Sequence, residues 1–521
     1  MKSSAQIRQE FIDFFKEKGH TFVRSSPVVP LDDPTLLFTN AGMNQFKPIF
    51  VGESKPAQLR AVNSQKCIRV SGKHNDLEEV GVDHYHHTFF EMLGNWSFGD
   101  YYKAEAIAWA WELLTEVWGF DKARLWATVY DTDDEAARLW LEQTDIGADR
   151  VLRFGAKENF WEMGATGPCG PCSEIHYYIG DLDKMDASGV NSREEYREIW
   201  NLVFIQNNRL GDGTLEELPQ KHVDTGAGLE RIVGVLQGVS SNYATDLFTP
   251  LIEEVASLTG KPYSEGESGT PHRVIADHLR MIAFSLADGA MPSNEGRGYV
   301  VRRILRRAAR FGRMLGQHEP FIFRLVDRLV EVMGDAYPEL AERKEHVQKV
   351  IEAEERAFGE TLDRGLEIFG AMTAEMQPGD TLPGDDVFKL YDTFGFPADL
   401  TALMARERNL EVDMTGFDSA MDQQRERARA GGSVSAQQDD IPWITVAEGP
   451  GSKFLGYEGT EATGQLRKYR RLDGGYVEVV LDQTPFYAES GGQVGDTGWL
   501  RGKGLTLEVT GTRKAVVEGH D

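Results

Sequence analysis

Cysteine is scarce in this chain. Three cysteines in 521 residues, Cys67, Cys169 and Cys172, are too few to build a disulfide framework, and they fit a reducing compartment. Long apolar runs are also missing. None approaches the roughly 18 residues of a membrane-spanning helix, and Met1-Lys2-Ser3 opens directly onto an amphipathic stretch. Neither a signal peptide nor a membrane span is expected, and a cytoplasmic location is. A basic surplus is absent too: 56 Lys and Arg stand against 83 Asp and Glu, a net charge of −27. RNA-binding proteins are usually basic, so the total argues against an RNA partner. The screening length is only about 8 Å at physiological salt, so a local basic patch would decide docking instead. There is no Gly-Lys-Ser/Thr phosphate loop, no G-x-G-x-x-G fingerprint, no internal repeat and no long low-complexity segment.

What is present is an ordinary globular composition, 41% apolar and 27% charged, in a chain long enough for roughly three domains. Arg69-Val70-Ser71-Gly72-Lys73-His74-Asn75-Asp76 puts cations and a proton carrier on a glycine-containing turn. His86-His87-Thr88-Phe89-Phe90-Glu91 returns from it with two rings. Two arms with cations at one end and flat rings at the other suit a nucleotide, because arginine grips phosphate bidentately and a ring stacks on a base. A basic turn beside aromatic residues is common on surfaces, so this stretch alone establishes nothing. Far downstream, Asp224-Thr225-Gly226-Ala227-Gly228-Leu229-Glu230-Arg231 reads as a strand end, small residues and a helix start. Its glycines admit a ligand close to the backbone, and Arg231 adds a cation.

These two stretches resemble motifs 2 and 3 of the class II aminoacyl-tRNA synthetases, and residues 33–47 resemble motif 1. The wording DPTLLFTNAGMNQFK, HHTFFEMLGN, GPCGPCSEI, DTGAGLER and MPSNEGRGYVVRR is similar to the alanyl branch of that family, in order and along essentially the whole chain. The resemblance implies an α+β fold: a class II antiparallel sheet flanked by helices over residues 1–245, a helical tRNA acceptor-stem recognition domain over 246–440, and the truncated start of an editing β-barrel over 441–521.

The chain supports that outline element by element. Residues 4–18 carry Ile7, Phe11, Phe14 and Phe15 at helical spacing, a packing helix with Gly19 as its stop. Residues 103–118 read as one Trp- and Leu-rich core helix, and 125–130 as a strand. His84, His86 and His87 have no fourth ligand at a recognisable spacing, so no zinc is expected there. Cys169-Gly170-Pro171-Cys172 spells a redox pair, but no long helix follows it; it reads as a loop before a strand over 174–179, and redox chemistry is a minor alternative. From Arg297 to Arg313 there are seven arginines in seventeen residues and no acid. Arg303, Arg306, Arg307 and Arg310 share a helical face, with Val300, Ile304, Leu305 and Ala308 packing behind. This is the local basic patch, suited to phosphate by counterion release, or otherwise a salt-bridged face. Residues 345–374 read as a solvated bridging helix, 410–440 as a polar linker, and the remainder as β. The editing zinc ligands of the family, an HxxxH and a later CxxxH, cannot be placed; Zn2+ is expected only in a part not covered by this chain.

The resemblance also implies roles. Arg69, Lys73, Asp76 and Arg231 are the expected catalytic residues. ATP, with Mg2+ across its phosphates, is expected to meet Arg69, His74, His86, Phe90, Met92 and Arg231. L-Alanine is expected among Met43, Arg69, Trp161, Val203, Asp224 and Gly226, with Asp224 taking the ammonium. For tRNA(Ala), Arg297, Arg303, Arg306, Arg307 and Arg310 would meet the backbone, and Asn294 and Asp392 a G·U pair in the acceptor stem. Read from residues alone, Asn294 is a turn residue and Asp392 a helix cap. A monomer is expected, and no membrane. Three readings stay open: an alanine–tRNA ligase, an adenylating enzyme serving another acceptor, and a non-catalytic RNA-binding module. The arginine helix with Asn294 and Asp392 argues against the second, and intact Arg69, Asp224 and Arg231 argue against the third.

Overall fold

Alternating side chains on an extended backbone face opposite sides of a sheet, so a strand with two apolar faces must be covered twice. β5 (Phe89–Phe98) is such a strand: Phe89 and Leu93 enter one core, Trp96 and Phe98 another. In the computed structural model the described residues are all but 31–35, 72–73, 76, 78, 165, 432–442, 450–451, 457–458, 472–475, 489–495, 503 and 514–521. Around β5 stand β1 (Thr21–Phe22), β2 (Arg60–Ile68), β6 (Leu125–Tyr130), β7 (Val151–Phe154), β8 (Phe160–Glu162), β9 (Gly167–Tyr178), β10 (Tyr196–Arg209) and β11 (Leu215–Gly228). A two-stranded pair, β3 (Val70–Ser71) and β4 (His74–Asn75), follows β2. The sheet has nine strands in the order β1-β2-β5-β11-β10-β9-β6-β7, with β8 beside β9. Only β1/β2 and β6/β7 run parallel; the other pairs are antiparallel.

One face is covered by helices. Ser4–Glu17 starts with a capping box between Ser3 and Gln6 and buries Ile7, Phe11, Phe14 and Phe15. Thr270–Ala287 is buried on every side from Pro271 onward, the mark of a core helix. The expected single helix over 103–118 is Lys103–Glu112 followed by a π-helical turn at Leu113–Val117, with Leu113, Leu114 and Trp118 buried.

Two compact units divide the chain: Met1–Pro292 with Gly296–Gly359, and Ser293–Glu295 with Glu360–Asp521. The change of character read at 245 is not a break in packing. Val233, Leu251, Val274, Ile304 and Ile351 belong to one continuous core. Three expectations need correction. The helix Lys344–Met372 is not simply solvated; it buries Val347, Ile351, Phe358, Leu362 and Phe369 at helical spacing. Within the expected linker, Met414–Gly431 is helical, because its polar residues include few helix breakers. Cys169 and Cys172 sit inside β9, not in a loop; β10 on one side and β8 on the other extend the strand through them. In the second unit the described strands after 443, including Leu466–Arg471, Val477–Leu481, Gly498–Gly502 and Leu505–Val509, form sheets of two or three strands. Among the described residues no helix is long and apolar enough to cross a membrane.

Arg8 reaches from the first helix to Glu91 on β5 through two bonds of 2.6 Å, and the Glu91 side chain is fully buried. Removing one partner of such a pair strands the other. Arg8→Met is expected to cost about 3–5 kcal/mol in urea unfolding; an unchanged midpoint would contradict the pairing.

Candidate active site

The register of β2 against β5 sets the first half of the site. Cys67 faces Phe90, and Arg69 follows immediately beyond the strand end. Its backbone N–H donates to Thr88 O at 3.0 Å, its Nε–H donates to Asn40 O at 3.2 Å, and its guanidinium lies 4.9 Å from the centroid of the Phe90 ring. The predicted arginine and the predicted stacking ring therefore touch each other. Lys73 and Asp76 lie outside the described residues, and His74 belongs to β4. His86 is bonded through Nδ1 to Asp83 and packs on Tyr85. The Tyr85 ring also receives the guanidinium groups of Arg197 at 4.2 Å and Arg231 at 5.4 Å.

β11 supplies the second half. It continues through Gly226 to Gly228, further than the strand end expected at Asp224, and the helix Leu229–Gln237 starts there. Arg231 Nη1–H donates to Glu198 O at 2.8 Å and lies 3.3 Å from the Glu198 carboxylate. Glu198 faces His176 across β10 and β9, and His176 Nε2 is 3.2 Å from Glu174. Burial raises the Glu174 carboxyl, and the negative charge of Glu198 raises it further. At Glu198 burial also opposes ionisation, but the charge of Arg231 prevails and the carboxyl falls below its usual range.

The face of β11 that carries Asp224 meets a buried apolar cluster. Cys172, Val203 and Asp224 stand in one row across β9, β10 and β11. Met43, Cys172 and Val203 are buried in one cluster, with Met92 and Trp161 packed against it. Trp96 Nε1–H donates to Asp224 Oδ1 at 2.6 Å. Burial pushes the Asp224 carboxyl up to about 7, against that single hydrogen bond. A side chain at Gly226 would begin 2.8 Å from Met92 Sδ. A buried carboxylate with one hydrogen-bond donor is chemically suited to a cationic partner such as an ammonium group.

Sequence reading missed Trp96, Tyr85, Glu174 and Glu198. Strand alternation places Asn201 and Val203 on the site face, and Glu198 joins them only because the register shifts between Glu198 and Trp200. Such a bulge reverses the parity that a sequence pattern relies on. Among the described residues no group of three or more His, Cys, Asp or Glu side chains is placed to hold a metal. The two repelling carboxylates, Glu174 and Glu198, suit a cation that takes its remaining oxygens from a ligand.

The arginine helix, Gly296–Met314, departs from expectation. Val300, Ile304, Leu305 and Ala308 pack inward as predicted, but Arg307 and Arg310 are buried too. Arg307 Nη1–H donates to His278 Nε2 at 2.8 Å, and Arg310 lies 5.4 Å from the Phe311 ring. Both flank the apolar stripe, so they follow it into the core. Arg303 and Arg306 are half-buried, Arg306 lying 4.8 Å from the Phe358 ring. Arg297 Nε–H donates to Leu37 O at 3.0 Å. Asn294 lies in the turn just before this helix, and Asp392, exposed on the helix Gly384–Phe394, accepts from Gln424.

The sequence matches the family profile of tRNA synthetases class II (A) over residues 6–519. It is 56% identical over 536 aligned positions to an alanine–tRNA ligase of Chlorobaculum tepidum, covering 100% of this chain and 60% of that protein. It is 51% identical to an alanine–tRNA ligase of Stenotrophomonas maltophilia, covering 99% and 60%. The chain thus spans about 60% of the length of these curated relatives. A solved histidyl-tRNA synthetase of S. aureus aligns with 45% of this chain and 66% of its own at 9% identity, with a TM-score of 0.29, a likeness too slight to add to the sequence match.

The Asp224 carboxyl has a folded value near 7 against 3.8 for the free group, so the native state holds more protons than the unfolded state between those limits. Stability contributed here therefore falls as pH rises from about 4 to 7 and stays low above. Asp224→Asn keeps an acceptor for Trp96. It is expected to raise the melting temperature most above pH 7, with a gain that shrinks towards pH 4. A pH-independent difference between the two melting curves would contradict the desolvation of Asp224.

Proposed function

The chain belongs to the family of tRNA synthetases class II (A), and we propose that it activates L-alanine with ATP and transfers the alanyl group to the 3′ end of tRNA(Ala). The observation that supports this reading is the buried Asp224 carboxylate, two residues before Gly226, on the sheet whose strand β5 carries Phe90 against Arg69.

In the first step the alanine carboxylate attacks the α-phosphorus of ATP and pyrophosphate leaves. Both reactants are anions there, so a cation that touches both lowers the barrier; Arg69, held by Asn40 and Thr88, is the candidate for that cation. Asp224 orients the ammonium, and Val203, Met92 and the absence of a side chain at Gly226 limit the amino acid to a small one. Phe90 offers a face for the adenine once Arg69 turns to its substrates, and Arg231 with His86 serves the phosphates. Mg2+ on the triphosphate would be held by Glu174 and Glu198, where it neutralises phosphate charge. The rest is positioning. In the second step a terminal ribose hydroxyl attacks the adenylate carbonyl and AMP leaves.

For tRNA, residues 246–440 are the recognition region in this reading. Arg297, Arg303 and Arg306 are the candidates for the phosphate backbone, and Asn294 and Asp392 are acceptors for the unpaired guanine amino group of a wobble pair, which A-form RNA presents in its shallow groove. Arg307 and Arg310 act from inside the protein. In this reading the chain works as a monomer in the cytoplasm.

A site for a small amino acid separates alanine from glycine or serine by only about 1–3 kcal/mol. Alanine-dependent ATP–pyrophosphate exchange is therefore expected, with weaker exchange for serine and glycine, and Arg69→Ala is expected to reduce it by about 10²–10³-fold. No exchange with any amino acid in a folded sample would move the reading to an RNA-binding module.

A further inference from the structure

Four donors converge on one carboxylate that the proposed chemistry does not use. Asp277, in the helix Thr270–Ala287, is fully buried. It accepts from the Thr88 backbone N–H at 3.1 and 3.2 Å, from the Thr88 hydroxyl, from His87 Nδ1 at 3.2 Å and from His278 Nδ1 at 3.0 Å. Burial would raise this carboxyl, but the donors from His278 and His87 hold it below the usual carboxylate range. Both imidazoles have their tautomers fixed from the far side. Asn242 Nδ2–H donates to His87 Nε2 at 3.0 Å, and Arg307 Nη1–H donates to His278 Nε2 at 2.8 Å. His278 is fully buried, and burial together with the Arg307 charge keeps it neutral.

The consequence lies at Thr88. Its N–H is held by Asp277, and its carbonyl accepts the backbone N–H of Arg69 at 3.0 Å. A single residue thus stands between the buried carboxylate and the arginine proposed to bridge the reacting anions. Displacing that arginine by about 1 Å would cost on the order of 100-fold in rate.

We propose that Asp277 is a positioning residue for adenylation: through Thr88 it fixes the backbone of Arg69, and through His278 it ties that backbone to Arg307 in the arginine helix. Its effect on rate rests on the adenylation reading above; its anchoring of Arg69 does not. In RNA-free adenylation Arg307 then acts through Asp277, so a change at the arginine helix reaches the reacting groups by one buried path.

The test uses the full 521-residue chain with Asp277→Asn, Thr88→Val and Arg307→Met, each checked by circular dichroism. Hydrogen exchange of the Arg69 amide, read by mass spectrometry on a peptide spanning it, is expected to accelerate by on the order of tenfold or more in Asp277→Asn while distant strands keep their protection. In ATP–pyrophosphate exchange the same variant should lose about 100-fold in kcat with little change in KM for alanine. Thr88→Val keeps the N–H bond to Asp277 and loses the hydroxyl, so a smaller acceleration of the same amide is expected; it decides the matter if Asp277→Asn does not fold. Asp277→Asn with Arg307→Met should be no slower than Asp277→Asn alone, whereas additive losses would overturn the link to the arginine helix. Unchanged protection of Arg69 in the folded variants would overturn the anchoring. If the unaltered chain shows no pyrophosphate exchange, the adenylation reading falls, and the amide protection still decides whether Asp277 holds Arg69.

Discussion

Two carboxylates beneath the sheet have no water to solvate them. Glu91 on β5 and Glu230 at the start of the helix Leu229–Gln237 are each answered by a buried guanidinium, Arg8 and Arg280. Tyr337 and Ser64 donate to Glu91 as well, at 2.7 and 2.9 Å, and Glu230 accepts the Glu91 backbone N–H. The strand of one motif and the helix of the other are therefore fastened by the same charges. A slip of β5 by one residue would turn Glu91 out and strand Arg8, so the register is strongly specified. Phe90 and Met92, its neighbours in sequence, face the opposite side and inherit their placement from that constraint.

Much of this was legible before any coordinates. The helix Ser4–Glu17, the strand Leu125–Tyr130 and the arginine helix follow from periodicity and stop signals. What escaped has physical causes. Glu198 reaches the site across a bulge, which no alternation rule anticipates. Trp96 reads as core, and it is core; its one polar atom finds Asp224, 128 positions away. Asp277 and His278 sit in a helix buried all round, where a sequence pattern offers no reason to single out a polar pair. The arginine helix misled in the opposite way. Counting cations predicts a surface, but Arg307 and Arg310 lie beside the apolar stripe and are drawn in with it.

The electrostatic design runs against the overall charge. A chain of net charge −27 gathers Arg69, Arg197 and Arg231 around the two rings Phe90 and Tyr85. Flat π-faces hold Arg69 and Arg197 without neutralising them as a carboxylate would, whereas Arg231 also pairs with Glu198. Positive charge is thereby kept available close to acids that define the other side of the site. Within a screening length of about 8 Å those cations, and not the net charge, dominate the potential that a polyanion meets there.

Asp224 has one further consequence, for heat. A carboxyl with a midpoint near 7 is only partly ionised at neutral pH, and an ammonium ligand can settle only against the ionised form. If an amino acid binds through its ammonium there, as proposed, each binding event at that pH expels a fraction of a proton into the solvent, and the buffer absorbs it with its own enthalpy. The apparent heat of amino-acid binding in a calorimeter will then differ between phosphate and Tris although the contacts are identical. The slope of that heat against buffer ionisation enthalpy counts the protons that leave this one buried oxygen pair.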